Sequence, residues 1–149
     1  MRAVVQRVSR AAIRVGDETV ARLERGLLAL VGVGRGDGPA AAAELARRIV
    51  GLRVFEDAEG RMNRSLLEVD GALGVVSQFT LYGDARRGRR PSFAEAAAPA
   101  EAAALLDALV ARARELGARV VTGRFQAHME VELVNDGPVT ILLDTDKRF

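Results

Sequence analysis

A Gly-Pro step near the end of the chain limits how its last two apolar runs can pair. The runs Met129 to Val134 and Val139 to Leu143 are separated only by Asn135 to Pro138. Asn, Asp and Gly tolerate positive φ, so this segment is typical of a hairpin or a tight turn. Proline lacks the N–H that a strand donates, and here it demands an edge, a bulge or a loop. The Gly-Pro step also leaves the backbone accessible, so that another group can approach it closely. An ordinary turn in which the proline starts the strand is the simpler interpretation.

The size and composition of the chain favour one soluble domain. A length of 149 residues is typical of a single domain, 1–149, with room for a core. No apolar run is long enough to cross a membrane, and the first residues lack the apolar stretch of a signal peptide. Cysteine is absent, which excludes disulfides and thiolate chemistry. We therefore expect a cytoplasmic protein without a membrane partner.

Short apolar runs bounded by Gly, Asp and Asn predict many strands. The first four are joined by tight turns and are typical of a meander. The strands are expected at 2–8, 11–15, 19–23, 27–33, 72–81, 119–122, 129–134 and 139–144.

Two longer segments have the apolar spacing of helices. The first begins at Pro39, a residue suited to the first helical position, and extends to about Phe55. A capping box at Ser92 to Glu95 predicts a helical turn, and Pro99 is a second candidate start for the main helix, which extends to Leu116 and stops at Gly117. The predicted fold class is therefore α+β: one domain with a many-stranded, mostly antiparallel sheet, or barrel-like sheets, and two main helices.

The residues that usually carry catalysis are scarce. His128 is the single histidine and lies in or beside a predicted strand, where a structural role is the commoner one. The carboxylate pairs Glu130/Glu132 and Asp144/Asp146 lack the His or Cys partners of a zinc site and fit surface charge. We expect no metal and no cofactor. An enzyme with this sequence must use backbone donors, hydroxyls or groups of its substrate.

Three further segments have unusual local composition. The glycine-rich segment 32–38 has neither the dinucleotide nor the Walker spacing and is interpreted as a flexible loop. Ser77 to Thr80 places polar groups in an apolar run, which fits either a strand end paired with backbone or a site. A basic loop contains four arginines that suit either phosphate contact or a solvated surface. These are Arg86, Arg87, Arg89 and Arg90.

Taken together, several segments resemble the D-aminoacyl-tRNA deacylase family. The main ones are Ser77 to Tyr82, Gly88 to Phe93 and Asn135 to Thr140. The opening Met1 to Val8 and the segment Met62 to Leu66 also match the family pattern. Each motif is short, but together they cover essentially the whole chain in the family's order. One position departs, because the family usually has glycine where this chain has Gln126.

The resemblance implies a homodimer that hydrolyses the ester between a D-amino acid and the terminal adenosine of tRNA, a proofreading step of translation. The pocket for the aminoacyl group would be lined by Ser77, Gln78, Phe79 and Thr80. The wall against the adenine would include Phe125 and Met129. The step Gly137-Pro138, with a cis peptide, would reach across the dimer into the partner's site as chiral selector. The tRNA phosphates would contact Arg86, Arg87, Arg89 and Arg90.

The resemblance also supplies a mechanistic hypothesis. A vicinal hydroxyl of the terminal ribose would assist attack by water, while backbone N–H groups near Phe79 and Thr80 stabilise the oxyanion. Thr80 as a covalent nucleophile is the rival. Glycyl-tRNA should also be cleaved, because glycine has no side chain to exclude. The alternatives are a non-catalytic tRNA-binding module and a sister deacylase of altered chirality with a trans Gly-Pro bond.

Overall fold

A long central strand pairs antiparallel with a second long strand at one edge of the sheet. The computed structural model describes all residues, 1–149. Strand β1 spans Arg2–Val15, and the last strand, Glu130–Asp144, pairs with it from Arg2 to Arg14. Each was expected to be two shorter strands, and that prediction is wrong. Ser9 and Arg10 lie within β1, at an irregularity of its pairing with the last strand, and Asn135 to Pro138 form a bulge in that same strand.

The rest of the sheet extends from the opposite edge of β1. Strands β2 (Glu18–Leu23) and β3 (Gly26–Gly32) lie end to end along it, so the expected meander is wrong. Two parallel strands follow beyond β3. They are β6 (Ala72–Ser77) and β7 (Arg119–Thr122). Strands β4 (Phe55–Glu56) and β5 (Met62–Arg64) form a small hairpin that is separate from the main sheet. The last strand, Glu130–Asp144, is β8.

The sheet is thus mixed, with most of its strand pairs antiparallel. Strand β2 also contacts β6 and β7, so the sheet curls toward a barrel-like shape. The α+β class, the barrel-like sheet and the two helices are confirmed.

Both helices begin at a proline, and the first is shorter than expected. Helix α1 spans Pro39–Val50 and ends at Gly51. Phe55 therefore lies outside the helix, in strand β4, where its side chain is buried. Helix α2 spans Pro99–Glu115. The restart expected at Pro99 is therefore confirmed. The helical turn expected at the capping box is wrong, because Ser92 pairs with Asp84 in an isolated β-bridge that holds this segment extended.

The sheet has an apolar cluster on each side. The larger cluster lies between the sheet and the helices and includes Leu45 and Ile49 of α1 and Leu109 of α2. The smaller one includes Val8, Ile13 and other residues of β1, β2, β3 and β6. No helix of the chain is long and apolar enough to cross a membrane. The sheet lies between the two clusters. The carboxyl ends of β3, β6 and β7 are left open at one end of the sheet.

Candidate functional site

The Gly-Pro step is a bulge that projects from the β1–β8 pair. Gln6 faces Thr140 and Val8 faces Asn135, so two steps along β1 lie opposite five steps along β8. The expected hairpin is therefore wrong, while the bulge that proline permits is present. Gly137 has φ +128°, in the region that favours glycine, and its peptide bond to Pro138 is cis.

Arg7 holds this bulge from the opposite strand. Its Nε donates to the carbonyl oxygen of Asp136 at 3.2 Å and lies 3.2 Å from the Asp136 carboxylate. Its Nη1 donates to the buried carbonyl oxygen of Val54 at 2.6 Å. The side chain of Arg7 is only 8% exposed. Arg7 was not predicted from the sequence. Its position in alternation with Ala3 and Val5, on the inward-facing side of β1, was the pattern that could have identified it.

Asn135 fastens the bulge from within. Its Oδ1 accepts a hydrogen bond from the backbone N–H of Val139 at 3.2 Å, and its Nδ2 donates to Thr140 Oγ1 at 3.1 Å. The amide thus bridges the two ends of the projecting segment. Gly137 and Pro138 are exposed at its tip. The corner is held by polar contacts on both flanks and presents its main chain outward.

A cavity of about 600 Å³ opens at the carboxyl ends of the parallel strands. In open α/β sheets, ligands bind in crevices at the carboxyl ends of the parallel strands, and this cavity has the corresponding position in a mixed sheet. Five residues predicted for the pocket line it together: Ser77, Gln78, Phe79, Phe125 and Met129. His128 also lines it, from the loop directly before β8, in agreement with a position beside a strand. Thr80, Gly137 and Pro138 are not among its lining residues.

The polar end of the cavity is a turn of 3₁₀-helix, Phe79–Tyr82, directly after β6. The apolar run 72–81 was expected to be one strand and instead ends at Ser77. The N–H groups of Phe79 and Thr80 are at the start of this turn. No carbonyl group earlier in the turn is therefore available to accept their hydrogen bonds. The Gln78 amide nitrogen donates to Thr80 Oγ1. The turn therefore carries two backbone donors and a hydroxyl, and Phe79 at its start lines the apolar cavity.

Gly32 at the end of β3 and Gly34 after it let this turn approach the sheet. A Cβ at Gly32 would lie 2.9 Å from the Gln78 carbonyl oxygen, and one at Gly34 would lie 2.6 Å from the Tyr82 ring. A larger residue at either position would displace the turn. Part of the segment 32–38 is therefore needed for packing, which accounts for glycines that do not fit a nucleotide loop.

Arg2 and Asp37 hold the far end of the turn. Arg2 Nη1 donates to the Leu81 carbonyl oxygen at 3.1 Å, and the guanidinium lies 4.4 Å from the centroid of the Tyr82 ring. Burial, followed by the nearby Asp37 carboxylate, raises the pKa of Tyr82 well above its usual value, so its hydroxyl stays protonated. Asp144, expected at the surface, is buried and accepts from Arg2 Nε at 3.3 Å.

The basic loop contains two kinds of arginine. Arg86 is paired with Asp84 at 2.7 Å, and its hydrogen bonds hold the pKa of Asp84 well below the ordinary value. The other three are exposed and make no ion pair: Arg87, Arg89 and Arg90. Only these three have guanidinium groups wholly free for an anionic ligand.

The opposite wall of the cavity is a turn that contains Gln126. This residue has φ +61°, in the left-handed region that costs a side-chain-bearing residue free energy. Phe125 precedes it, and Met129 follows and packs against the smaller apolar cluster. The chain contains no group of three or more His, Cys, Asp or Glu that could hold a metal ion. The polar side chains that line the cavity are those of Ser77, Gln78, Gln126 and His128.

Comparison with known proteins assigns the chain to a family. The model of the D-Tyr-tRNA(Tyr) deacylase family matches residues 4–144. A D-aminoacyl-tRNA deacylase of Symbiobacterium thermophilum is 61% identical over 149 residues, covering 100% of this chain and 99% of the relative. One of Anaeromyxobacter dehalogenans is 58% identical, with 100% of both chains covered. The chain therefore belongs to the D-aminoacyl-tRNA deacylase family and is a hydrolase, as the motifs predicted.

Solved structures agree with the fold. A c-Myc DNA unwinding element binding protein superposes with a TM-score of 0.92 at 36% identity, covering 97% of this chain and 99% of that chain. A probable eukaryotic D-amino acid tRNA deacylase has a TM-score of 0.77 at 21% identity, covering 95% and 97%. At that low identity, the similarity to the second structure shows only that the two proteins share a fold.

Proposed function

We propose that the protein hydrolyses the ester bond of D-aminoacyl-tRNA and releases a D-amino acid and reusable tRNA. The observation that carries this proposal is one cavity that combines the Ser77 to Phe79 segment with Phe125 and Met129 in a chain of this family. Residues 1–149 would act as one deacylase domain within a homodimer. A cytoplasmic location belongs to the proposal, because charged tRNA is used there in translation.

The terminal adenosine occupies the apolar part of the cavity in this proposal. Phe125 and Met129 form the wall against the adenine, and aromatic side chains are good stacking surfaces for bases. The ester then lies at the polar end, next to Ser77 and Gln78. A volume of about 600 Å³ is within the range of roughly 300–1,000 Å³ typical of small-molecule sites.

Hydrolysis uses main-chain donors and the substrate itself. Water attacks the ester carbonyl, the carbonyl oxygen becomes an oxyanion, and the N–H groups of Phe79 and Thr80 stabilise it. The vicinal ribose hydroxyl stands beside the ester at high effective concentration and assists the water. The bond to the ribose oxygen then breaks, which frees the amino acid and restores the tRNA hydroxyl. This division of labour explains why the cavity needs neither a catalytic triad nor a metal.

The Gly137-Pro138 corner selects the handedness of the amino acid. An enzyme that accepts many side chains can test only the groups that all amino acids share, and fixed main-chain atoms suit that task. A corner that excludes an L side chain by clash leaves D residues and glycine free to bind. Support comes from its position: Gly137 and Pro138 are exposed and lie outside their own chain's cavity. We therefore assign the corner to the site of the partner subunit.

The basic loop holds the tRNA. Arg87, Arg89 and Arg90 are exposed and carry no competing carboxylate, so they are free to contact phosphate. Arg86 also belongs to this surface, but its guanidinium is already paired with Asp84. We assign the larger share of the tRNA affinity to the three free arginines.

Incubation with D-tyrosyl-tRNA tests the function. We expect release of free D-tyrosine, and release of glycine from glycyl-tRNA as well. A non-catalytic tRNA-binding module would instead show salt-sensitive binding with no release of amino acid. Resistance of glycyl-tRNA under conditions that clear D-tyrosyl-tRNA would contradict the steric selector but leave the hydrolase intact.

One substitution in the protein and one change in the substrate separate the mechanisms. Thr80→Ala should keep near-normal turnover, because the N–H of residue 80 remains; a loss of all activity would favour Thr80 as the nucleophile. A tRNA whose terminal ribose lacks the vicinal hydroxyl should react poorly with the wild-type enzyme. Full activity on that tRNA would dismiss assistance by the substrate.

A further inference from the structure

A second cavity lies directly beside the first. Its volume is about 380 Å³, and it lies between helix α2 and the ends of β6 and β7. Ser77 and Phe125 line both cavities, so the two are continuous through these residues. We propose that this cavity binds the penultimate nucleotide of the substrate, a cytidine. The inference rests on the proposed function, because it extends the site of the terminal adenosine by one nucleotide.

The lining of the second cavity suits a nucleobase. Its floor is apolar, formed by Val75, Leu106 and Val110. Its rim is polar and exposed and includes Asp107 and Arg114 of α2. A base has apolar faces and a hydrogen-bonding edge, so an apolar floor with a polar rim matches both. Phe125, at the junction, is available to stack with a base, which is the usual contact to an unpaired nucleotide.

Asp107 gives the cavity a preference for cytosine. An ionised carboxylate only accepts hydrogen bonds. The exocyclic amino group of cytosine donates, whereas uracil has a carbonyl oxygen at that position. The helix neighbours three and four positions from Asp107 are Ala103, Ala104, Val110 and Ala111. None of them is basic, so no salt bridge along the helix occupies the carboxylate.

Arg114 supplies a cation at the outer end of the same helix face. One of its terminal nitrogens donates to the Val120 carbonyl oxygen at 3.1 Å, which fixes the guanidinium beside the cavity. Its remaining N–H groups can contact the phosphate that joins two nucleotides. Because all mature tRNAs end in the same cytidine-cytidine-adenosine sequence, such a subsite would accept every tRNA.

Minimal substrates test the proposal without the rest of the tRNA. The three probes are D-tyrosyl esters of adenosine, of cytidylyl-adenosine and of uridylyl-adenosine, with kcat/KM as the measurement. In the wild type we expect the cytidylyl ester to exceed the adenosine ester by roughly 5- to 150-fold, the range that one stacked base supplies. The uridylyl ester should fall below the cytidylyl ester by about fivefold or more.

The ratio of the cytidylyl to the uridylyl rate reports on Asp107 and is insensitive to a general loss of folded enzyme. Asp107→Ala should bring this ratio close to one. Glu101→Ala is the matched control, because Glu101 is an exposed acid on the same helix that lines neither cavity. That control should keep the wild-type ratio.

Two outcomes overturn the proposal. Equal kcat/KM for the adenosine and cytidylyl-adenosine esters would remove the second nucleotide from the cavity. An unchanged cytidylyl-to-uridylyl ratio in Asp107→Ala would remove the assignment of Asp107. Neither outcome touches the proposed hydrolase, which fails if D-tyrosyl-tRNA is left uncleaved.

Discussion

Replacing Arg7 with methionine should loosen the Gly-Pro corner while keeping an unbranched side chain of similar reach. The guanidinium joins three parts of the molecule: strand β1, the Val54 carbonyl before β4, and Asp136 beside the corner. Methionine fills part of the space but donates no hydrogen bond. The carbonyl oxygens of Val54 and Asp136 both lose this donor, and the Val54 oxygen is buried.

The size of the effect follows from these contacts. A hydrogen bond from a charged donor contributes about 1.5–3 kcal/mol, and two are lost. The ion pair adds little, at most about 0.5 kcal/mol, because the Asp136 side chain is 56% exposed. Removing a buried charge returns part of the loss. We expect the free energy of unfolding to fall by about 2–4 kcal/mol, which lowers the melting temperature by about 4–16 °C in a chain of this length.

The assay joins stability to selectivity. Thermal unfolding gives the change in stability, and the rates of D-tyrosine and L-tyrosine release from matched tRNA give the selectivity. We expect the ratio of the D to the L rate to fall in Arg7→Met at temperatures where the variant is fully folded. Arg10→Met is the control, because Arg10 lies on the same strand with a side chain 60% exposed and pairs only with the exposed Glu132. It should change stability by less than about 1 kcal/mol.

One result would refute this reasoning. If Arg7→Met is as stable as Arg10→Met and discriminates as well as the wild type, the guanidinium does not hold the corner. A loss of stability with intact discrimination would retain the structural role of Arg7 and remove its link to selectivity.

Three further groups of substitutions test neighbouring claims. Gly137→Ala should reduce the D-to-L ratio, because a Cβ there would lie 2.8 Å from Val139 Cγ2; Gly16→Ala, also at positive φ but with nothing within 4 Å, controls for backbone strain. Gln126→Gly should raise the free energy of unfolding by up to about 1 kcal/mol, since relief of the left-handed residue outweighs the entropy of glycine; a loss of stability in urea denaturation would contradict this. Replacing any one of the free loop arginines with alanine should reduce the slope of the log of tRNA affinity against the log of salt concentration by about 0.7–0.9. Arg86→Ala should reduce this slope less, because Arg86 is already paired with Asp84. Equal effects of all four would contradict the distinction. The free arginines are Arg87, Arg89 and Arg90.

The sequence predicted local features well where a residue has one favoured conformation. Pro39 starts α1, and the apolar spacing of Leu45 and Ile49 gives its buried face. The short motifs at Ser77 to Phe79 and at Phe125 and Met129 identified one cavity from two distant segments. That prediction depended on family resemblance, because no local pattern shows that residues 77 and 125 are neighbours.

Features that depend on distant pairing could not be predicted from local pattern. Asn135 to Pro138 has the composition of a hairpin, yet β1 pairs with both flanks and turns the segment into a bulge. Ser92 has the sequence of a helix cap, yet its backbone pairs with Asp84. The role of Arg7 depends on a carbonyl 129 positions away in the chain. In each case a tertiary contact outweighed the local preference.

The most direct measurement compares matched D-tyrosyl-tRNA and L-tyrosyl-tRNA with the purified protein. If the main-chain corner at Gly137 and Pro138 excludes L residues by clash, D-tyrosine should be released at least about 100-fold faster, a difference of about 2.7 kcal/mol in activation free energy. Release of both enantiomers at equal rates would contradict the selector.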